Sequence, residues 1–408
     1  MPLAWRDAMS LALYGPDGFF VAGTGPADHF RTSVHASPAF ASALLRLIVE
    51  VDTALGHPYR LDVVDVGAGR GELLRALLST VGVSGEPAHS GRSGLIPPWS
   101  GSPETLTPTA AVRPSLRERV HFTAVEYAPR PDNLPVEIDW TDEIPCEING
   151  VLLATEWLDN VPLDVAVHTE DGWRYVLVDP ECGTESIGDL VSPEDLDWLT
   201  TWWPHPTSQP HADPDPSTDA TSASESGFGA ARPAQGSSLT ARSRPGCPET
   251  PHSNHLRAEI GRPRDDAWAD AIRRIDRGLA VAVDYGHLRE GRPVDGTLTG
   301  YRGGRQVPPV PDGSADVTAH VAMDSVASAG AAIARCAYSL VLQREALRTL
   351  GADGGRPPLS LAGSDPAGYV RALAAASAVA ELTDPAGLGG HWWLRQPVGI
   401  PLGPAVAR

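Results

Sequence analysis

Lysine is absent from the chain: all 32 of its basic residues are arginine. With 41 glycines and 39 prolines, that bias reads as a preference for GC-rich codons rather than as a functional signal. Cysteine is scarce too. Cys146, Cys182, Cys247 and Cys336 lie far apart and form no C-x-x-C pair, which argues against a disulfide framework or a zinc ribbon, and no metal is expected. No run approaches the ~18 apolar residues of a membrane span. The best candidate, residues 331–342, is broken by Arg335. Residues 1–20 have no basic stretch followed by an apolar one, so no secretory signal is expected and a reducing, cytoplasmic setting is. Positive charge is also short. Against 51 acidic residues it leaves a net charge of −19, which disfavours broad nucleic-acid binding.

What is present is enough apolar material, 42% of 408 residues, for a sizeable core. Two stretches do not share it. Residues 84–113 are rich in Ser, Gly and Pro, and residues 205–263 in Ser, Pro, Ala, Thr and Asp. Neither keeps a helix or strand period, so both read as disordered surface insertions. The expected organisation is an N-terminal helical segment over 1–60, a first half of the main domain over 61–204, the insertion, and a second half over 264–408.

The other segments carry short apolar runs: 61–66 (LDVVDV), 120–125 (VHFTAV), 136–140, 150–154 (GVLLA) and 279–284 (LAVAVD). Near-continuous apolar strands with helical segments between them predict a mostly parallel, doubly wound α/β sheet. Residues 162–168 and 173–179 flank Glu170-Asp171-Gly172, which predicts an appended β-hairpin. Residues 324–350 read as an Ala-rich helix, and 391–394 as a late edge strand. Ser37-Pro38 is a helix start, and Phe40, Leu44, Leu45 and Ile48 recur near a 3.6 period.

The densest signal is Asp65-Val66-Gly67-Ala68-Gly69-Arg70-Gly71, where the first strand gives way to a helix. Residues without a Cβ let the backbone turn sharply and approach a ligand. The helix start beyond it offers unpaired N–H groups to an anion. A dinucleotide fingerprint would put its third glycine at position 72, which is Glu. The G-x-G-x-G spacing suits S-adenosylmethionine instead. Glu126 closes the second strand and fits the ribose hydroxyls. Asp65 fits the ligand ammonium or the turn itself. Trp140 is a candidate adenine stack, and Asp139 or Asp142 a candidate partner for the exocyclic amine.

Several ordered elements resemble the MidA-like class I S-adenosylmethionine-dependent methyltransferases, relatives of the mitochondrial complex I assembly arginine methyltransferase. They are Tyr14 to Phe20 (YGPDGFF), Phe30-Arg31-Thr32-Ser33 with Ser37-Pro38 and Phe40, the glycine loop, Val125-Glu126, Ala154 to Pro162 (ATEWLDNVP), Asp284-Tyr285-Gly286, and Asp316 to Val321 (DVTAHV). The chain departs from the family at Val34-His35, where Pro-Glu is usual, and at Thr155, where Asn is usual. The resemblance implies a Rossmann-like fold and methyl transfer to a protein side chain, arginine foremost, in assembly of a larger complex. Cofactor-binding residues would be Asp65, Gly67, Ala68, Gly69, Gly71, Glu126, Asp139 and Trp140. Glu156 and Asp159 would hold a guanidinium. Tyr14, Thr32, Ser37, Asp284 and His320 would line the substrate cleft. Three other readings stay open: a binder that no longer catalyses, a small-molecule methyltransferase, and a nicotinamide oxidoreductase. The oligomeric state is not legible.

Overall fold

The structure is a computed structural model that describes residues 1–22, 33–36, 38–83, 114–203, 256–352 and 354–401. Thr32, Ser37, the stretch 84–113 and most of 205–263 lie outside the described residues.

The main sheet has seven strands: β1 (Leu61–Val66), β2 (Val120–Val125), β3 (Ile138–Thr141), β4 (Ile148–Thr155), β5 (Ile275–Asp284), β6 (Ser339–Leu342) and β7 (Trp392–Val398). Their order is β6-β7-β5-β4-β1-β2-β3. Strands β1 to β5 run parallel, and β7 runs antiparallel to both β5 and β6. Sequence order reverses where β1 meets β4. In open α/β sheets ligands bind at such a switch point, beyond the carboxyl ends of the strands.

Helices α1 (Trp5–Tyr14), α2 (Pro38–Ala54), α3 (Glu72–Val83), α4 (Arg262–Arg273) and α5 (Met323–Ala334) do most of the covering. Side chains alternate across a strand. Val63, Phe122, Val151, Leu153 and Val281 therefore meet α2 and α3 on one face. Val64, Val125, Leu152, Ala280 and Ala282 meet Trp268 and Ile272 of α4 and Val326 of α5 on the other. Burial on both faces explains the near-continuous apolar strands.

Five expectations need correction. The segment 324–350 is not one helix: α5 stops at Arg335, whose φ of +51° breaks the helical run, and β6 follows. The strand at the C-terminal end is not an edge strand, because β6 pairs along its outer side. The hairpin, Asp164–Thr169 with Gly172–Val178, is not a simple appendage. It is the centre of a five-stranded sheet completed by Leu3–Ala4, Glu185–Leu190 and Arg257–Ile260. Arg257–Ile260 and the start of α4 thus fall inside the stretch assigned to the second insertion. The N-terminal segment also divides: Trp5, Met9 and Leu13 of α1 pack on the second sheet, whereas α2 packs on the main one.

Candidate active site

A cleft of about 1020 Å³ opens at the carboxyl ends of β1, β4 and β5. The register sets Val66 beside Ala154 and Thr155 beside Val283. The segments that follow, 67–71, 156–160 and 285–287, are therefore neighbours.

The first wall is the glycine turn. Gly67, Gly69 and Gly71 have φ of +69°, +58° and +76°, a region that strains any side chain. A Cβ on Gly71 would also sit 2.7 Å from Leu134 Cδ1. The Gly67 and Ala68 amides donate to Val125 O at 3.0 and 3.2 Å, tying the turn to β2. Glu126 then reaches back. Its Oε2 accepts the Gly69 amide at 3.0 Å, and its Oε1 accepts the amides of Tyr127 and Ala128 at 2.8 and 3.3 Å. Burial raises its pKa, and these amide bonds oppose the rise. Asp65 is 2% exposed and lines the cleft, and its Oδ1 has no hydrogen-bond partner. Burial raises its pKa well above the usual carboxylate range, and Glu72 and Glu126 add to it. An orphaned buried oxygen of this kind calls for a donor.

The second wall follows β4. Glu156 has φ +52°, a left-handed conformation that costs a non-glycine residue about 1–2 kcal/mol. Its amide donates to Val283 O at 2.8 Å, and its carboxylate accepts the Ser33 amide at 3.3 Å. Such strain clusters at functional sites. The turn Leu158–Asn160 is capped from beneath. Asp284 Oδ2 accepts the amides of Leu158 and Asp159 at 3.0 and 3.3 Å, and its Oδ1 accepts that of Tyr285 at 3.0 Å. Asp284 is fully buried and does not line the cleft, so the structure gives it a supporting place rather than a wall position.

Asp159 sits above that cap. Its Oδ2 accepts Thr318 Oγ1 at 2.7 Å and the Tyr285 hydroxyl, while its Oδ1 has no partner. Burial raises its pKa, against the two hydroxyl bonds. Arg264 of α4, 1% exposed, locks the backbone around it. It donates to Val161 O at 3.1 Å, Ala319 O at 2.9 Å, His320 O at 3.0 Å and Asp159 O at 2.5 Å. Asn160 donates to Asp316 Oδ1 at 2.7 Å, and Tyr14 donates to Asn160 O at 3.2 Å. Burial, with Asp159 adding to it, pushes the Asp316 carboxyl up to about 8.

The structure brings Asp65, Gly67, Ala68, Gly69, Glu126, Glu156, Asp159, Tyr14 and His320 to one cleft. His320 is open to the cleft, and its ring lies against Tyr285 with centroids 5.2 Å apart. Loss of solvent around the ring lowers its pKa, against the pull of Glu259 and Asp159. Gly71 shapes the turn behind the wall. Asp139 and Trp140 are not brought to the cleft: Trp140 packs on the core and donates its ring N–H to Ala128 O at 3.0 Å. The next turn reaches it instead, with Asp142, Glu143 and Ile144. Sequence reasoning also missed Arg264, Tyr301 and His391. His391 lines the cleft, its Nδ1 has no partner, and burial followed by His320 lowers its pKa to about 4. Arg264 had no visible signal, because it sits beside the low-complexity stretch.

Among the described residues, no group of three or more His, Cys, Asp or Glu could hold a metal ion. No helix among them is long and apolar enough to cross a membrane.

A strand-turn-helix with a glycine-rich turn, an acid closing the adjoining strand and a buried carboxylate oxygen without a partner meet at this end of the cleft. Residues 99–340 match the family described as "Putative S-adenosyl-L-methionine-dependent methyltransferase". The chain belongs to that family, and the family's cofactor is S-adenosyl-L-methionine. Two solved structures share the fold. A COG1565 superfamily member from Burkholderia thailandensis, bound to S-adenosyl-homocysteine, has a TM-score of 0.64 and 19% identity over 99% of this chain and 90% of its own. A native crystal structure of an uncharacterized COG1565 superfamily protein from the same organism gives 0.64 and 19% over 100% and 90%. No curated protein matches the chain.

Proposed function

We propose that this chain is a Rossmann-like class I methyltransferase of the MidA-like group, and that it methylates a cationic protein side chain, arginine foremost, during assembly of a larger complex. The observation that carries the substrate class is the charge of the cleft. Among the described residues, Glu72, Glu126, Asp142, Glu143, Glu156, Asp159 and Asp270 line it with Asp65, against one arginine, Arg274; Asp316 also lines it, but at about 8 it is mostly protonated near neutrality and adds little charge. A wall of one sign focuses its field into the cleft and attracts the opposite charge.

The cofactor, when bound, supplies a methyl group on a sulfonium sulfur. The chain's own residues do the rest. Asp65 takes the ligand ammonium on its partnerless oxygen. Glu126 takes the ribose hydroxyls and holds the Gly69 amide in place. Asp142, at the cleft wall where Asp139 is not, takes the exocyclic amine. Glu156 and Asp159 grip the guanidinium from one side. A carboxylate pair holds that planar group in a fixed orientation. Tyr285 and Thr318 fix the rotamer of Asp159, and Asp284 fixes its backbone. Fixed geometry of this kind brings the attacking nitrogen into line. Tyr14 and His320 bound the substrate side.

A second reading has support from Val34 and Thr155, the departures from the resembled family. Both line the cleft. If they disable the site, the chain binds the cofactor without turning it over.

The test is transfer of labelled methyl from S-adenosylmethionine to an arginine-containing peptide array, beside a metabolite extract. Label on arginine peptides supports the proposal. Label only in the extract makes the acceptor a small molecule. Cofactor binding with no label in either makes the chain a silent binder.

A further inference from the structure

The turn that follows β1 differs in one residue from a phosphate-binding turn. Counted from Gly67, position 72 would carry the third glycine of a dinucleotide fingerprint, and it carries Glu72. That side chain folds back over the turn. Its Oε2 accepts the Arg70 amide at 2.9 Å and lies 3.4 Å from where a Cβ on Gly69 would be. Glu126 takes the adjacent amide, that of Gly69, at 3.0 Å. Consecutive backbone amides at a helix start are the donors a phosphate uses. Here the chain's own carboxylates hold two of them.

Asp65, Glu72 and Glu126 all line this end of the cleft. Burial raises the pKa of Asp65 and of Glu126, and the charge of Glu72 raises each further, so the three acids share one field. The adenosine half of the cofactor is common to ADP and NAD. Discrimination must therefore act on what the 5′ carbon carries. A phosphate brings negative charge to a place that already holds three carboxyls. It would also have to displace Glu72 from the Arg70 amide. A sulfonium with a zwitterionic amino-acid tail brings net positive charge.

We infer that Glu72 is a specificity residue: it bars 5′-phosphorylated adenine nucleotides from the glycine turn and leaves the site to adenosyl ligands joined through sulfur. The inference rests on the cofactor reading above and adds the residue that enforces it.

The experiment is calorimetric titration of the full chain with S-adenosylhomocysteine, ADP and NAD. It compares the unmodified protein with Glu72→Gln and Glu72→Gly, the second of which restores the third glycine. Removing one charge beside a phosphate raises the ADP-to-S-adenosylhomocysteine affinity ratio about tenfold, and the rise shrinks at high salt. A ratio that stays unchanged in a variant that still binds S-adenosylhomocysteine overturns the inference and leaves the cofactor reading standing. A folded unmodified protein that binds no S-adenosylhomocysteine overturns both. The two substitutions leave different groups at the helix start, so misfolding of one leaves the other to decide.

Discussion

The amide of Gly69 donates to Glu126 Oε2 across 3.0 Å, joining the turn after β1 to the end of β2. Fifty-seven residues separate the two, and the stretch 84–113 lies between them. In the proposed cofactor site this acid takes the ribose hydroxyls. Glu126→Gln keeps the size and an acceptor oxygen but removes the charge. A hydrogen bond to a charged group is worth about 1.5–3 kcal/mol, so S-adenosylhomocysteine affinity falls about 10–100-fold. Calorimetry reads it, with unchanged circular dichroism as the fold control.

Tyr285 acts on Asp159 rather than on the ligand turn. Tyr285→Phe removes a hydroxyl donor from Asp159 Oδ2 and leaves Thr318 as the remaining one. Cofactor affinity stays within about threefold, since the hydroxyl faces the far wall. Methyl transfer falls about tenfold or more, the worth of one hydrogen bond to a charged group. The pH profile moves as well. Loss of a bond that stabilises the charged carboxylate raises the pKa of Asp159, so the activity rise shifts to higher pH.

Arg264 holds the second wall together through four carbonyls. Arg264→Met fills similar volume but removes the guanidinium from all four; Asp159 O keeps the Ala319 amide and the Thr318 hydroxyl, and the other three oxygens lose this donor. Each buried unsatisfied group costs about 1–3 kcal/mol, so unfolding free energy drops by at least about 3 kcal/mol. A urea titration reports it as a lower midpoint.

Asp316 makes stability depend on pH. Burial, with Asp159, holds its folded pKa at about 8, against an unfolded value near 3.8. Between those two values the folded state keeps a proton that the unfolded state has lost. Stability from this group is therefore full below about pH 4 and falls as pH rises toward 8. Asp316→Asn keeps an oxygen for the Asn160 amide and has no proton to lose. Urea midpoints at pH 5 and pH 8 lie closer together in that variant than in the unmodified protein.

The main sheet was legible because its strands are buried on both faces. LDVVDV and LAVAVD admit no other reading once a turn follows them. The glycine turn and Glu126 were legible for a chemical reason: positive φ and a strand-end acid leave marks in residue type. β6 was not, because its four residues begin only four residues after α5 ends and run straight into a further helix, Gln343–Thr349. The place of Arg257–Ile260 was hidden by its neighbours' composition, although Ala258 and Ile260 pack into the second sheet's core. Trp140 illustrates a different limit. An aromatic residue at a strand end faces either ligand or core, and its strand parity alone does not show that Ala128 O is waiting for its ring N–H. Arg264 and His391 act through what they are folded against, which no spacing reveals.

In the proposed site the glycine turn and Glu126 hold S-adenosylmethionine. The most direct measurement is calorimetric titration of the full chain with S-adenosylmethionine, S-adenosylhomocysteine and NAD, repeated with Gly69→Val. At φ +58° a valine cannot hold the turn without strain. The expected result is binding of the two sulfur ligands alone, lost in Gly69→Val while the protein stays folded. Folded protein that binds neither sulfur ligand, or a Gly69→Val variant that binds both as tightly as before, would contradict it.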